Sequence, residues 1–148
     1  RSGPKPDQPD NVVQPYLDLK LGLYAQATYA ARHGIPQSQD DYCNHRFVCW
    51  EQNKTPFPFT GWLRKNVPET SKVLISANQG VADQALLAGM GIGFYPEIYA
   101  QKRTDLVEVL APQPDWAVPL WLVTHTDLHR SVKVQAVLKF VKNDRLSL

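Results

Sequence analysis

The stretch Ala85–Glu97, ALLAGMGIGFYPE, decides between two folds. Glycines alternate through it at Gly89, Gly91 and Gly93. Dinucleotide-binding loops use such alternation to bring backbone N–H groups against a pyrophosphate. That use needs a strand before the glycines and a helix after them, so that the helix N-terminus faces the anion. Here the order is reversed. Upstream, Asn78 is a good N-cap, and Ala, Leu and Gln dominate a helical run that Gly89 closes as its C′ residue. Downstream, GIGFY reads as a strand, with Gly91 and Gly93 letting it pack close against that helix. Pro96 then stands where a further short helix, PEIYAQKR, can begin. The nucleotide reading is excluded, and alternation of helix and strand remains.

Moving outward, the same alternation continues. The Pro- and Asp-rich opening RSGPKPDQPDN reads as an exposed loop. Leu17, Leu19 and Leu21 alternate with Tyr16, Asp18 and Lys20, the period-2 pattern of a half-buried strand. QATYAARHG is a short helix closed by Gly34, with Pro36 as a stop. HRFVCW and KVLISA read as short buried strands. Between them, Pro56 and Pro58 argue for no more than an edge strand around Phe59 to Leu63. LVEVL is another strand, and VPLWLVTH a longer one with apolar residues on both faces, as in a covered sheet. At the end, Val134, Val137, Leu138 and Val141 form an amphipathic helical stripe. Lys133, Lys139 and Lys142 lie off that stripe and read as a solvated face. The fold class is α/β.

Composition narrows the function. Among 148 residues, 16 are basic and 14 acidic, a net charge of +2 that is too small to argue nucleic-acid binding by this chain itself. There is no apolar run that spans a bilayer and no signal peptide at the start, so a membrane partner is not expected. If CNHRFVCW is one strand, Cys43 and Cys49 lie roughly 20 Å apart, too far for a disulfide. Free thiols fit a reducing, cytoplasmic setting. Cys43, His45 and Cys49 would share a strand face, but three ligands strung along one strand cannot converge on one metal ion. His125 and His129 read as surface polar residues, one ending a strand and the other in a turn. Asp40 and Asp41 adjoin in a loop and face different ways. No G-x-S-x-G, H-E-x-x-H or P-loop is present. Neither catalysis, nor a metal, nor a cofactor is expected.

Ligands of open α/β sheets gather at strand ends and helix starts, where free backbone N–H groups favour anions. Two such places stand out: Asn78, Gln79 and Gly80 after KVLISA, and Cys49, Trp50 and Glu51 at the end of HRFVCW. Asn78 is equally well read as a simple cap, and Trp50 is more often a core or lid residue than a ligand contact. If both places form one site, the expected ligand is small and anionic. Glu51 is the awkward member, because its carboxylate repels an anion unless it points away.

Taken in order, LYAQATYAARHGIPQSQDDYCNHRFV, ANQGVADQALLAGMGIGFYPEIYAQ and LVEVLAPQPDWAVPLWLVTHTDLHRSVKVQAVLKFVKN resemble the effector-binding domain of LysR-type transcriptional regulators. Tyr29, Gly34, Pro36, His45, Gly89, Gly91, Pro96 and the run Leu120 to His125 fall into that family's pattern. One departure is at Gln26 and Ala27, where the family has a small hydroxyl residue; this weakens that helix start as an anion contact. The resemblance implies a fold like type II periplasmic binding proteins: two subdomains, a mixed sheet with flanking helices, and crossing strands at Tyr16 to Tyr24 and Leu120 to Thr126. It begins midway through the usual domain. Residues from about 16 to 120 would form the second subdomain, and those from about 120 to 148 the return strand and C-terminal helix of the first. The DNA-binding helix-turn-helix would lie outside the chain. The implied partners are a small-molecule effector, a second copy or more in a homodimer or homotetramer, and DNA only through that absent module. The alternative is a solute-binding protein or small transferase of the same fold.

Overall fold

The computed structural model describes residues 1–51 and 57–143. The chain divides into two compact units, Lys20–Ala117 and the pair of segments Arg1–Leu19 and Val118–Leu148.

The larger unit is built on a five-stranded mixed sheet in the order β4-β3-β5-β2-β6. Its strands are β2 (Leu21–Gln26), β3 (Phe47–Trp50), β4 (Lys72–Ser76), β5 (Ile92–Pro96) and β6 (Leu106–Leu110). β3 pairs in parallel with β4 and β5, whereas β2 runs antiparallel to both β5 and β6. Among the described residues, four α-helices accompany it: α1 (Ala27–His33), α2 (Pro58–Asn66), α3 (Gln79–Leu87) and α4 (Glu97–Ala100). Leu21 to Ala25 are all buried, as befits a strand deep in a sheet covered on both faces. Leu23, Phe47, Phe59, Leu86 and Ile92 are the largest fully buried side chains. Each contributes about 1.5–3 kcal/mol by leaving water.

The glycines behave as their neighbours require. Gly34 and Gly89 follow their helices with positive φ of 71° and 76°, a backbone region that favours glycine. A Cβ on Gly91 would stand 2.6 Å from the Arg46 carbonyl oxygen, and one on Gly93 would stand 2.9 Å from Leu86 Cδ1. Gly93 thus admits α3 as expected, while Gly91 admits the chain entering β3 rather than the helix.

Three local expectations are corrected. Phe59 to Leu63 lie in helix α2, not in an edge strand. Pro58 occupies its first turn, where a missing N–H costs nothing, and Phe59, Trp62 and Leu63 fall at i, i+3 and i+4. Second, the strand containing Cys49 begins only at Phe47, because Gln39–Asn44 form a 3-10 helix. The Asp41 carboxylate there accepts from the backbone N–H groups of Gln37 (2.8 Å) and Ser38 (2.9 Å), which hold its pKa below the ordinary value. Cys43 is consequently exposed in one element and Cys49 buried in another, and both are free thiols. Third, β4 is an edge strand, with Val73 and Ile75 45% and 50% exposed.

The smaller unit pairs β1 (Asn11–Leu19) antiparallel with β7 (Val118–His125), with a bulge between Pro15 and Leu17. The opening segment is not wholly loop, since Ser2 bridges Leu120 and the Gly3 N–H donates to the Pro119 carbonyl (2.9 Å). α5 (Thr126–His129) starts at His125, and the hydroxyl of Thr124 lies 2.8 Å from His129 Nδ1. In α6 (Val132–Asn143), Leu138 is buried, while Val137 and Phe140 are 60% and 69% exposed. The leucine alternation from Leu17 to Leu21 therefore straddles two strands of two sheets, divided at Lys20.

Candidate functional site

The end of β3 and the start of α3 meet because β3 and β4 are parallel neighbours, so the chain leaving β4 passes beside Trp50. The Glu51 N–H donates to the Ser76 carbonyl (2.9 Å), extending the ladder by one rung. The Trp50 indole N–H then donates to the Ala77 carbonyl (3.2 Å). Between them the Ser76 hydroxyl accepts from the Asn78 N–H (3.1 Å) and donates to the Asn78 carbonyl (3.0 Å), shaping the turn. Asn78 caps α3 by accepting from the Val81 N–H (3.4 Å). Its side chain serves as the cap, leaving the earlier N–H groups of the helix at the solvent-facing end.

A small cavity opens in this unit beside the junction. Trp50, Phe59, Phe94, Gln79 and Asp83 are among its walls, and it leaves about 20 Å³ for the centre of a water-sized group. That is room for one water or one small polar head. Trp50 is held by its rings as well as its N–H. It stacks on Phe59 with centroids 5.7 Å apart, and Phe59 in turn contacts Phe94 at 5.0 Å.

The six residues expected at the site are thereby sorted. Trp50 and Gln79 line the cavity, and Asn78 and Gly80 sit exposed at the helix start beside it. A Cβ on Gly80 would press on Asn78 Oδ1 at 3.3 Å, so glycine there favours the cap. Glu51 turns to α2, where its carboxylate pairs with the Arg64 guanidinium. Cys49 does not join them. It is buried in the core with Tyr42, Phe47 and Leu63, and burial pushes its thiol up to about 11.

One cavity-lining residue is not among those six. Asp83 lines the cavity, and burial among apolar neighbours raises its carboxyl from 3.8 to about 6. The signal was present in the sequence: Gln79, Ala82, Asp83 and Leu86 fall at i, i+3, i+4 and i+7, placing an acid within an apolar stripe. At the other helix start, the Gln26 side chain replaces the expected hydroxyl as a cap, accepting from the Thr28 N–H (2.5 Å). That end is therefore occupied by the protein itself.

A second polar cluster lies in the core. Tyr29 accepts from the Arg46 N–H (2.9 Å), and its own hydroxyl lies 3.2 Å from Nδ1 of buried His45. Burial lowers the pKa of His45, with Asp41 acting against and His33 reinforcing that shift. This is a structural network. Among the described residues, no group of His, Cys, Asp and Glu is arranged to hold a metal ion.

A mixed α/β sheet with flanking helices fits the periplasmic-binding-protein-like fold. The chain matches the LysR substrate binding domain family over residues 1–145 and belongs to it. It is thus the effector-binding part of a LysR-type transcriptional regulator. Solved structures share the fold at low identity. The regulatory domain of CrgA, a LysR-type regulator from Neisseria meningitidis, has a TM-score of 0.76 at 17% identity, covering 96% of this chain and 72% of that one. The AmpR effector binding domain from Citrobacter freundii gives 0.71 at 13%, covering 100% and 74%. Full-length AphB, the Vibrio cholerae virulence activator, gives 0.65 at 18%, covering 95% of this chain and 49% of that one. The chain therefore spans about half of such full-length regulators. No curated protein sequence matches significantly. Among the described residues, no helix is long and apolar enough to cross a membrane.

Proposed function

We propose that this chain senses a small-molecule effector where β3 ends and α3 begins, with Trp50, Asn78, Gln79 and Gly80 as contacts. The observation that carries this is the Trp50 indole bond to the Ala77 carbonyl, which fixes an aromatic wall against the turn into α3. Small-molecule sites need that combination: apolar surface with a few convergent polar groups. Glu51 contributes through Arg64 rather than by touching the ligand, and Cys49 only by packing behind the strand. The role is recognition, not catalysis, in a cytoplasmic regulator.

In the whole regulator, effector binding would bias an equilibrium between two states of a homo-oligomer. DNA would be read by a helix-turn-helix outside these 148 residues. The segments Arg1–Leu19 and Val118–Leu148 correspond, on this proposal, to part of the family's first subdomain, and Lys20–Ala117 to its second.

A thermal-shift screen of small metabolites against the chain, followed by calorimetry on the hits, tests the site. Affinity for a true effector should fall at least fivefold in Trp50→Ala and in Asn78→Leu. If every hit binds both variants as it binds the parent, the effector site lies elsewhere.

A further inference from the structure

Among the described residues that wall the cavity, Asp83 is the one charged side chain, and no described lysine, arginine or histidine joins it there. Its carboxylate has no hydrogen-bond or ion-pair partner among the described residues. Two described arginines of this unit are committed elsewhere. On α2, Arg64 is paired with Glu51, and past α4, Arg103 grips Asp105 through two bonds of 2.9 and 2.7 Å. From β5, Tyr95 feels the charge of Asp83 but supplies no cation. A half-buried carboxylate that shares a cavity with Trp50, Phe59 and Phe94, and has no partner among the described residues, is a cost to the fold. Such costs concentrate where a ligand relieves them.

We infer that the cavity beside Trp50 receives a cationic nitrogen, an ammonium or amidinium head of the effector, with Asp83 as its counter-charge and the aromatic side chains as its walls. This rests on the proposed site and names the chemistry of its ligand. Aromatic rings and a carboxylate together are what recognise an ammonium. The space of about 20 Å³ suits such a head, with the remainder of the molecule lying outside the cavity. The start of α3 pulls the other way, since a helix N-terminus favours anions. Its effect is only about half an elementary charge and fades within the first turn, whereas Asp83 presents a whole one on the cavity wall. The carboxylate prevails. The expectation of an anionic effector is thus replaced by one whose nitrogen enters here, and any acidic group it carries would sit at the helix start instead.

The test uses propylammonium chloride and sodium butyrate as probes at matched ionic strength, with NMR of the chain as the readout. Propylammonium should shift the Trp50 indole N–H and the amides of Gln79 to Asp83 saturably in the millimolar range, while butyrate should not. Asp83→Asn keeps the shape and removes the charge, so the same probe should bind at least tenfold more weakly to a chain with an otherwise native spectrum. Butyrate binding at these signals as tightly as propylammonium, or undiminished propylammonium binding to Asp83→Asn, overturns the ligand class but leaves the site. If neither probe moves these signals, the ligand class and the site at Trp50 fall together.

Discussion

Replacing Asp83 by asparagine should stabilise this protein at neutral pH. Its folded pKa of about 6 lies above the ordinary carboxylate value of 3.8, so the folded chain holds the proton more tightly than the unfolded one. The sign follows from linkage. The destabilisation is absent below pH 3.8, grows between there and pH 6, and is complete above it. The full rise corresponds to about 3 kcal/mol. Because Asp83 is half-buried and water screens part of its charge, about 1–2 kcal/mol is the expected gain for Asp83→Asn at pH 7.5. In a chain of this size that raises Tm by roughly 3–7 °C. Thermal unfolding followed by circular dichroism at pH 7.5 and pH 4 measures it, and the gain should shrink to almost nothing at pH 4. A gain of the same size at both pH values would mean that packing, not charge, is responsible. A loss at pH 7.5 would refute the reasoning outright, because it would show that the carboxylate is already satisfied.

Gly91→Ala should destabilise by more than about 2 kcal/mol in urea unfolding, because its Cβ meets main chain that cannot rotate away. Gly61→Ala, with open space around it in α2, should instead be neutral or stabilise by up to about 1 kcal/mol. Tyr29→Phe should cost about 1–3 kcal/mol, since it strips the partner from the Arg46 N–H and from His45 Nδ1. His45, pushed below its ordinary 6.5 by burial, should contribute stability fully above pH 6.5 and lose it as pH falls further. The difference between parent and His45→Gln in urea midpoint should therefore narrow from pH 7.5 to pH 5.

The elements that were legible in the sequence are those whose cause is local. The helix from Asn78 to Gly89 announces both of its ends, since a cap and a positive-φ glycine act on the residues beside them. The same holds for Gly34, and for the order of segments by which the family is recognised. What failed locally was the period: two prolines near Phe59 suggested an edge strand, although Phe59, Trp62 and Leu63 already stood at helical spacing.

The site divides in the same way. That Trp50 ends a strand and Asn78 begins a helix could be read residue by residue. That the indole reaches the Ala77 carbonyl depends on β3 and β4 being neighbours, which no local pattern states. Only the tertiary structure moved Cys49 into the core and turned Glu51 toward Arg64. It also placed Asp83 in a cavity shared with aromatic rings, without a partner among the described residues. Capping and turn chemistry act over three or four residues and so are written in the chain. The charge a site favours is set by which distant side chains fold around it, because the energy of a buried carboxylate depends on every neighbour it acquires or lacks.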